Sequence, residues 1–158
     1  YPARRGFDDL VMLTADPKLS FAWSAATFPG ERYVWFALRD PRVLRQTILW
    51  ISNGGRHYAP WNGRHTGVMG IEDTTSYFHL GLAESARANP LSRAGIPTTL
   101  ALNPQQPTTV NYVVGVAAIP PGFDRVADIT ATKTGIELRA ASGKRATAKL
   151  DLGFLAGD

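Results

Sequence analysis

The chain has 158 residues, of which 44% are hydrophobic and 19% charged, and its formal net charge is +4. These totals are typical of a globular protein of one domain and exclude a disordered chain. Cysteine is absent, which excludes a disulfide framework, thiolate metal ligands and a cysteine nucleophile. The basic residues are scattered rather than clustered, so we expect a solvated surface and no nucleic-acid partner.

The sequence carries no apolar run long enough to span a membrane and no secretory signal at its start. We therefore expect a protein that does not contact a membrane. The absence of cysteine fits a cytoplasmic protein and leaves the periplasm open as the alternative. The first residue is Tyr1 rather than methionine. Two alternatives follow from this: the chain was processed, or it is the later part of a longer polypeptide.

Short apolar or alternating runs, bounded by Pro, Gly and Asn, predict roughly ten strands. In chain order the runs cover residues 9–14, 19–25, 32–38, 46–52, 67–72, 98–103, 109–119, 126–132, 135–141 and 147–154. Only residues 75–88 resemble a helix, and Gly81 weakens that pattern. A turn containing Ser142, Gly143 and Lys144 predicts a hairpin of the last two strands. The pattern favours an all-β fold, an antiparallel β-sandwich, in a single domain or half-domain over residues 1–158.

The stretch NGGRHYAPWNGRHTGVMGIED, residues 53–73, contains too many glycines to be a strand throughout. Long ordered loops of this kind are often functional. His57, His65 and Glu72 have the chemistry of metal ligands, but their spacing matches no zinc site. The chain also lacks a nucleophile elbow and a phosphate-binding loop. We therefore expect neither a metal nor a cofactor.

A sugar site is the alternative interpretation of the same stretch. Trp61, Asn62, Arg64 and His65 lie close together in the sequence, and a strand could deliver Glu72 to the same cleft. Indole rings cover the apolar side of a pyranose, while guanidinium and carboxylate groups bind its hydroxyls. The competing interpretation is structural: Trp61 fills a gap in the core, and Glu72 is an ordinary surface carboxylate.

The segment TILWISNGGRHYAPWNGRHTGVMGIED resembles the later half of the galactose mutarotase-like superfamily, the aldose 1-epimerases and their relatives. The resemblance rests on a strand that contains Trp50, a loop, and an apolar strand ending in a glutamate. It implies that Glu72 is the catalytic base. RGFDDLVML is similar to the segment that supplies a substrate-binding carboxylate in this family, which implies that role for Asp8, with Asp9 as the neighbouring alternative. The implied fold is the later half of the family's large β-sandwich.

The resemblance implies a carbohydrate-binding isomerase that interconverts sugar anomers by general acid/base ring opening, with a monosaccharide or sugar derivative as its partner. Arg56 or Arg64 would bind hydroxyls or an anionic substituent of the sugar. In the family, the acid histidines belong to the earlier half. Here His57 or His65 would have to replace them.

Two alternatives remain open beside the isomerase. One is a non-catalytic carbohydrate-binding β-sandwich that uses the same aromatic and arginine surface. The other is an inactive fragment or half-domain, which pairs with a missing N-terminal half or dimerises through open strand edges.

Overall fold

A computed structural model describes residues 4–156, which form nine strands and three short helices. The strands are β1 (Phe7–Thr14), β2 (Ala22–Phe28), β3 (Tyr33–Arg39), β4 (Gln46–Asn53), β5 (Val68–Thr74), β6 (Tyr112–Ala118), β7 (Val126–Thr132), β8 (Gly135–Ala140) and β9 (Arg145–Lys149). The helices are α1 (Leu82–Ala86), α2 (Pro90–Arg93) and α3 (Gly153–Ala156). All six strand pairings are antiparallel, so the predicted all-β antiparallel class is confirmed.

The described residues divide into two compact units. The first unit extends to Lys18 and resumes over Pro41–Gln105, and it contains the sheet β1-β4-β5 together with α1 and α2. The second unit comprises Leu19–Asp40 and the chain from Gln106 onwards. It contains two sheets, β2-β3-β6 and β7-β8-β9, and the helix α3.

The second unit is an antiparallel β-sandwich. Its two sheets meet where β2 contacts β7 and where β6 contacts β9. Alternate residues of β3 and β8 bury their side chains in one shared core, which contains Val34, Phe36, Leu38, Ile136 and Leu138. This period of two is what a strand with one face on the core requires. The predicted sandwich is therefore confirmed.

The hairpin predicted around Gly143 is also confirmed. The Ala140 N–H donates to the Lys144 carbonyl over 2.8 Å, and the Gly143 N–H donates to the Ala140 carbonyl over 3.0 Å. These bonds close the turn that joins β8 to β9. The second strand of the hairpin ends at Lys149, earlier than predicted, because α3 takes up Gly153–Ala156.

Residues 75–103 differ from the sequence-based prediction. No strand forms over 98–103, and α1 covers only Leu82–Ala86 of the predicted helix. Gly81 precedes α1 with φ of 88°, a left-handed conformation that ends any helical pattern before it. The fully buried Thr98 donates to the Ser85 carbonyl over 2.7 Å. A buried polar contact thus replaces the predicted strand pairing in this segment.

The register of the first unit's sheet places five residues on one face, and these residues carry or border the candidate site. Asp8 lies opposite Ser52 in the β1–β4 pair, and Trp50 lies opposite Gly70 in the β4–β5 pair. Glu72 follows Gly70 by two residues and points to the same side. Directly opposed residues of antiparallel strands share a face, as do residues two apart in one strand. We call the face that carries Asp8, Trp50, Ser52, Gly70 and Glu72 the Trp50 face.

Two loop segments pack at opposite ends of the Trp50 face. At one end, the Phe78 N–H approaches the sulfur of Met12 at 3.4 Å, and the Gln46 side-chain amide donates to the Pro97 carbonyl over 2.9 Å. At the other end lies the loop that follows β4. No helix of the described chain has the length and apolar composition that a membrane crossing requires.

Candidate functional site

The loop from Gly54 to His65 is held by hydrogen bonds across its base. The Gly54 N–H donates to the His65 carbonyl over 2.9 Å, and the Gly63 N–H donates to the Arg56 carbonyl over 2.7 Å. Near its tip, the N–H groups of Trp61 and Asn62 both donate to the Tyr58 carbonyl, each over 3.0 Å. A compact loop whose ends meet in this way holds its side chains in defined positions.

Gly55 lets this loop approach β1 closely. A Cβ atom at Gly55 would lie 2.3 Å from the backbone nitrogen of Asp8 and 2.5 Å from the carbonyl carbon of Phe7. No side chain fits at that distance. The Gly55 N–H instead donates to Asp8 Oδ1 over 3.1 Å, so the close approach brings a hydrogen-bond donor to the carboxylate.

The Asp8 carboxylate is the centre of the hydrogen-bond network. Oδ2 accepts from Trp50 Nε1 over 3.2 Å and from Arg56 Nε over 3.0 Å, and both oxygens lie 3.2 Å from Ser52 Oγ. Burial alone raises the pKa of Asp8, but the bonds from Trp50, Gly55 and Ser52 and the charge of Arg56 outweigh it and bring the pKa below its ordinary value. Asp8 is therefore an anion that binds the loop to the sheet.

The Arg56 guanidinium and the His65 ring both contact the indole rings of Trp50 and Trp61. The central carbon of the guanidinium lies 4.5 Å from the Trp50 ring and 5.0 Å from the Trp61 ring. The His65 ring stacks on Trp50 with centroids 5.4 Å apart and meets Trp61 edge-on at 5.2 Å. Cation–π contacts of this kind strengthen when the cation is partly desolvated, and the Arg56 side chain is 31% exposed. We call Asp8, Trp50, Ser52, Arg56, Trp61 and His65 the Trp50 cluster.

Ser52 connects the sheet to the histidine of the cluster. Its side chain is fully buried, and its Oγ lies 2.7 Å from His65 Nδ1. The backbone of His65 is held as well, because its carbonyl accepts from Gly54. The ring therefore has a fixed place on the cluster.

Glu72 lies next to the cluster on the Trp50 face. Its Oε1 is 3.1 Å from the point that a Cβ would occupy at Gly70, and Trp50 Cε3 is 3.4 Å from the same point. Glu72 is exposed, and within residues 4–156 its carboxylate has no hydrogen bond or ion pair. The chain thus presents an open carboxylate beside the edge of Trp50, where the absence of a side chain at Gly70 leaves room for it.

Three further residues considered from the sequence lie outside the cluster. Asp9 faces the opposite side of the sheet, where hydrogen bonds from Arg4 lower its pKa. Arg64 is exposed and donates to the Pro60 carbonyl over 3.2 Å. His57 is exposed on the loop. The structure therefore brings Asp8, Arg56, Trp61 and His65 together. Arg64 and His57 are exposed on the loop, and Asp9 lies on the opposite side of the sheet.

Ser52 and Gly55 both bond to the Asp8 carboxylate, and the sequence interpretation included neither of them. The sequence contained a signal for Ser52, since it is a hydroxyl at the end of the buried run ILWIS and a buried hydroxyl needs a partner. The glycine pair after Asn53 was visible too. Nothing in its spacing indicated that Gly55 would contact β1, because that contact joins residues far apart in the chain.

The first unit also contains a cavity of about 370 Å³, separate from the Trp50 cluster. It is lined by Phe78, His79, Leu82 and Leu100 together with several hydroxyl residues. Most of those hydroxyls already bond to the protein itself, through Thr75, Ser76, Ser85 and Thr98. Within the described part of the chain, no three His, Asp or Glu residues gather in a way that could hold a metal ion.

Comparison of the chain with protein-family models, with curated proteins and with solved structures gives no match. The resemblance to galactose mutarotase-like proteins therefore rests on the residues quoted above and stays a prediction.

Proposed function

We propose that the protein binds a carbohydrate on the Trp50 face. The observation that carries this proposal is the open carboxylate of Glu72 beside Trp50, on the same face as the Arg56–Asp8 ion pair. A sugar ring offers apolar C–H faces to indole rings and hydroxyls to carboxylate and guanidinium groups. The Trp50 cluster and Glu72 supply both kinds of contact within one surface.

The free edge of Arg56 adds to this proposal. A guanidinium has five N–H donors, and Asp8 accepts only from Nε. Among the described residues the terminal nitrogens of Arg56 have no hydrogen-bond partner. They are available to two neighbouring hydroxyls, or to a carboxylate or phosphate on a sugar, in the bidentate geometry that guanidinium favours.

A second function, interconversion of aldose anomers, is favoured because the Glu72 carboxylate has no partner among residues 4–156. As a base, Glu72 would take the proton of the anomeric hydroxyl while the bond between C1 and the ring oxygen breaks and an acid protonates that oxygen. Rotation about the bond from C1 to C2 and reclosure on the other side of the carbonyl give the other anomer. Each positioned proton transfer contributes about 10²–10⁴ in rate.

Carbohydrate binding is tested by NMR titration of the protein with D-galactose, D-glucose and D-glucuronate, the last of which carries a carboxylate for Arg56. Trp61→Ala should weaken binding about tenfold, because an indole contact of about 1.4 kcal/mol is lost. Phe154→Ala, an exposed aromatic in the second unit, is the matched control and should bind as the wild type does. If none of the three sugars perturbs residues of the Trp50 face, the binding proposal is wrong.

Anomer interconversion is tested by following the optical rotation of freshly dissolved α-D-galactose. The wild type should accelerate the change over buffer, and Glu72→Gln should remove that acceleration while retaining sugar binding. Glu84→Gln, an acidic residue of α1 that pairs with Arg87, serves as the control and should keep full activity. A wild-type rate equal to that of buffer, with sugar binding intact, would leave the protein a non-catalytic carbohydrate-binding module.

A further inference from the structure

The buried hydroxyl of Ser52 lies near three groups that can accept its proton: the Asp8 carboxylate, Nδ1 of His65 and, at a longer 3.4 Å, the His65 carbonyl. Its Oγ is 3.2 Å from each oxygen of the Asp8 carboxylate and 2.7 Å from His65 Nδ1. A serine hydroxyl has one proton to donate and lone pairs with which to accept. The direction of that proton therefore decides which nitrogen of His65 carries hydrogen.

The carboxylate determines the direction. Asp8 is ionised at neutral pH, because the groups around it hold its pKa below the ordinary value. An ionised carboxylate accepts hydrogen bonds and donates none. If the Ser52 proton pointed to His65, the serine lone pairs would face two carboxylate oxygens at 3.2 Å, which is a repulsive contact in a buried place. The proton consequently points to Asp8.

The histidine must then supply the hydrogen in its own contact with Ser52. At 2.7 Å, Nδ1 and Oγ are close enough that one of them has to donate. Since the Ser52 proton is committed to Asp8, Nδ1 of His65 carries the N–H. A neutral imidazole has only one N–H, so Nε2 is left with a bare lone pair.

We infer that Asp8 and Ser52 fix neutral His65 as its Nδ1–H tautomer, so that Nε2 is the acceptor which a hydroxyl proton of the ligand meets. The existence of that hydroxyl ligand rests on the carbohydrate function proposed above. Among the described residues Nε2 has no partner, and the ring is held by Trp50 and Trp61. His65 is the contacting residue, while Asp8 and Ser52 are positioning residues.

The arrangement also allows proton transfer without any rearrangement. If Nε2 takes the proton of a ligand hydroxyl, the products are an alkoxide and an imidazolium. The Nδ1–H of the imidazolium still donates to Ser52, and Ser52 still donates to Asp8. The same nitrogen returns the proton in the reverse step. Nε2 of neutral His65 is thus a proton acceptor for a ligand hydroxyl; because it carries no proton in this tautomer, it does not supply the acid that ring opening also needs.

The tautomer is measured on the free protein with ¹⁵N-labelled histidine and long-range ¹H–¹⁵N NMR at about pH 8.5, above the ordinary histidine range. The His65→Gln variant identifies the signals of His65 by their loss. In the wild type we expect the pattern of a protonated Nδ1 and a bare Nε2. In Ser52→Ala and in Asp8→Asn the His65 pattern should shift towards the Nε2–H form, while the exposed His57 and His79 keep theirs.

A wild-type His65 with its hydrogen on Nε2 overturns the inference, and this result needs no variant to fold. An unchanged Nδ1–H pattern in both variants overturns the roles given to Asp8 and Ser52. Addition of D-galactose separates the inference from the proposed function. If D-galactose displaces the Nε2 signal, both the inference and the proposed function are supported. If His65 has the expected tautomer but none of the three sugars changes its signals, the inference about the tautomer stands and carbohydrate binding is contradicted.

Discussion

The indole nitrogen of Trp50 donates a hydrogen bond to Asp8 Oδ2 over 3.2 Å, along the diagonal of the β1–β4 pair. Asp8 lies directly opposite Ser52, and Trp50 is two residues away on the same face. Diagonal neighbours are within reach of a large aromatic side chain. The bond fixes the in-plane orientation of the indole and so determines where its ring meets Arg56 and His65.

Replacing Trp50 with phenylalanine should lower the free energy of unfolding by about 2 kcal/mol, because a hydrogen bond to an ionised carboxylate is lost. Trp61→Phe is the matched control. The indole N–H of Trp61 has no hydrogen-bond partner within the described residues, so we expect Trp61→Phe to lower the free energy of unfolding less than Trp50→Phe does. Denaturant unfolding of the two variants measures the difference. Equal losses would show that the indole N–H of Trp50 contributes nothing specific.

Asp8 should make the stability of the protein depend on acid pH. Its folded-state pKa lies below the unfolded value of about 3.8, so the unfolded chain binds the proton more tightly and stability rises with pH. The contribution is complete above the unfolded pKa and is lost as pH falls through the folded pKa. In Asp8→Asn this contribution is absent. The difference in unfolding free energy between wild type and variant should be largest near neutral pH and shrink below about pH 4; a difference that is constant with pH would contradict the assignment.

Gly55→Ala should disrupt the loop more than its size suggests. The new methyl group would lie 2.3 Å from the Asp8 nitrogen, against backbone that cannot move aside without breaking the β1–β4 pairing. We expect a loss of about 3 kcal/mol in unfolding free energy, at the upper end of overpacking costs. Gly30→Ala is the control, because a Cβ there meets nothing within 4 Å. Thermal unfolding of the pair tests the contrast, and equal midpoints would exclude the close approach.

The periodicity of the sequence was sufficient to predict the strands and the hairpin at Gly143, since alternation reports directly on burial. It also located the loop after β4, which contains five of the residues predicted for the site, and three of these belong to the cluster with Asp8. It failed over 98–103, where the apolar residues Leu100 and Leu102 are exposed and the segment is anchored through the Thr98 hydroxyl. A pattern of apolar residues carries no information about hydrogen bonds between distant side chains. For the same reason the link from Asp8 through Ser52 to His65 could not be predicted.

Arg56→Lys should separate the shape of this cation from its charge. Lysine keeps the positive charge near Asp8 but lacks the planar group that packs on Trp50 and Trp61 and the Nε donor to the carboxylate. We expect the unfolding free energy to fall by about 1–2 kcal/mol, from one lost charge-assisted bond and weakened cation–π contacts. Tryptophan fluorescence should change as well, because the guanidinium leaves both rings. Arg64→Lys is the control, since the exposed Arg64 side chain donates to the Pro60 carbonyl on its own loop and has no other hydrogen bond within residues 4–156. Such surface changes are usually within about 0.5 kcal/mol. If Arg56→Lys is no more destabilising than Arg64→Lys, the positive charge alone holds the loop to Asp8. The contacts of the guanidinium with the two indole rings then contribute nothing measurable to stability.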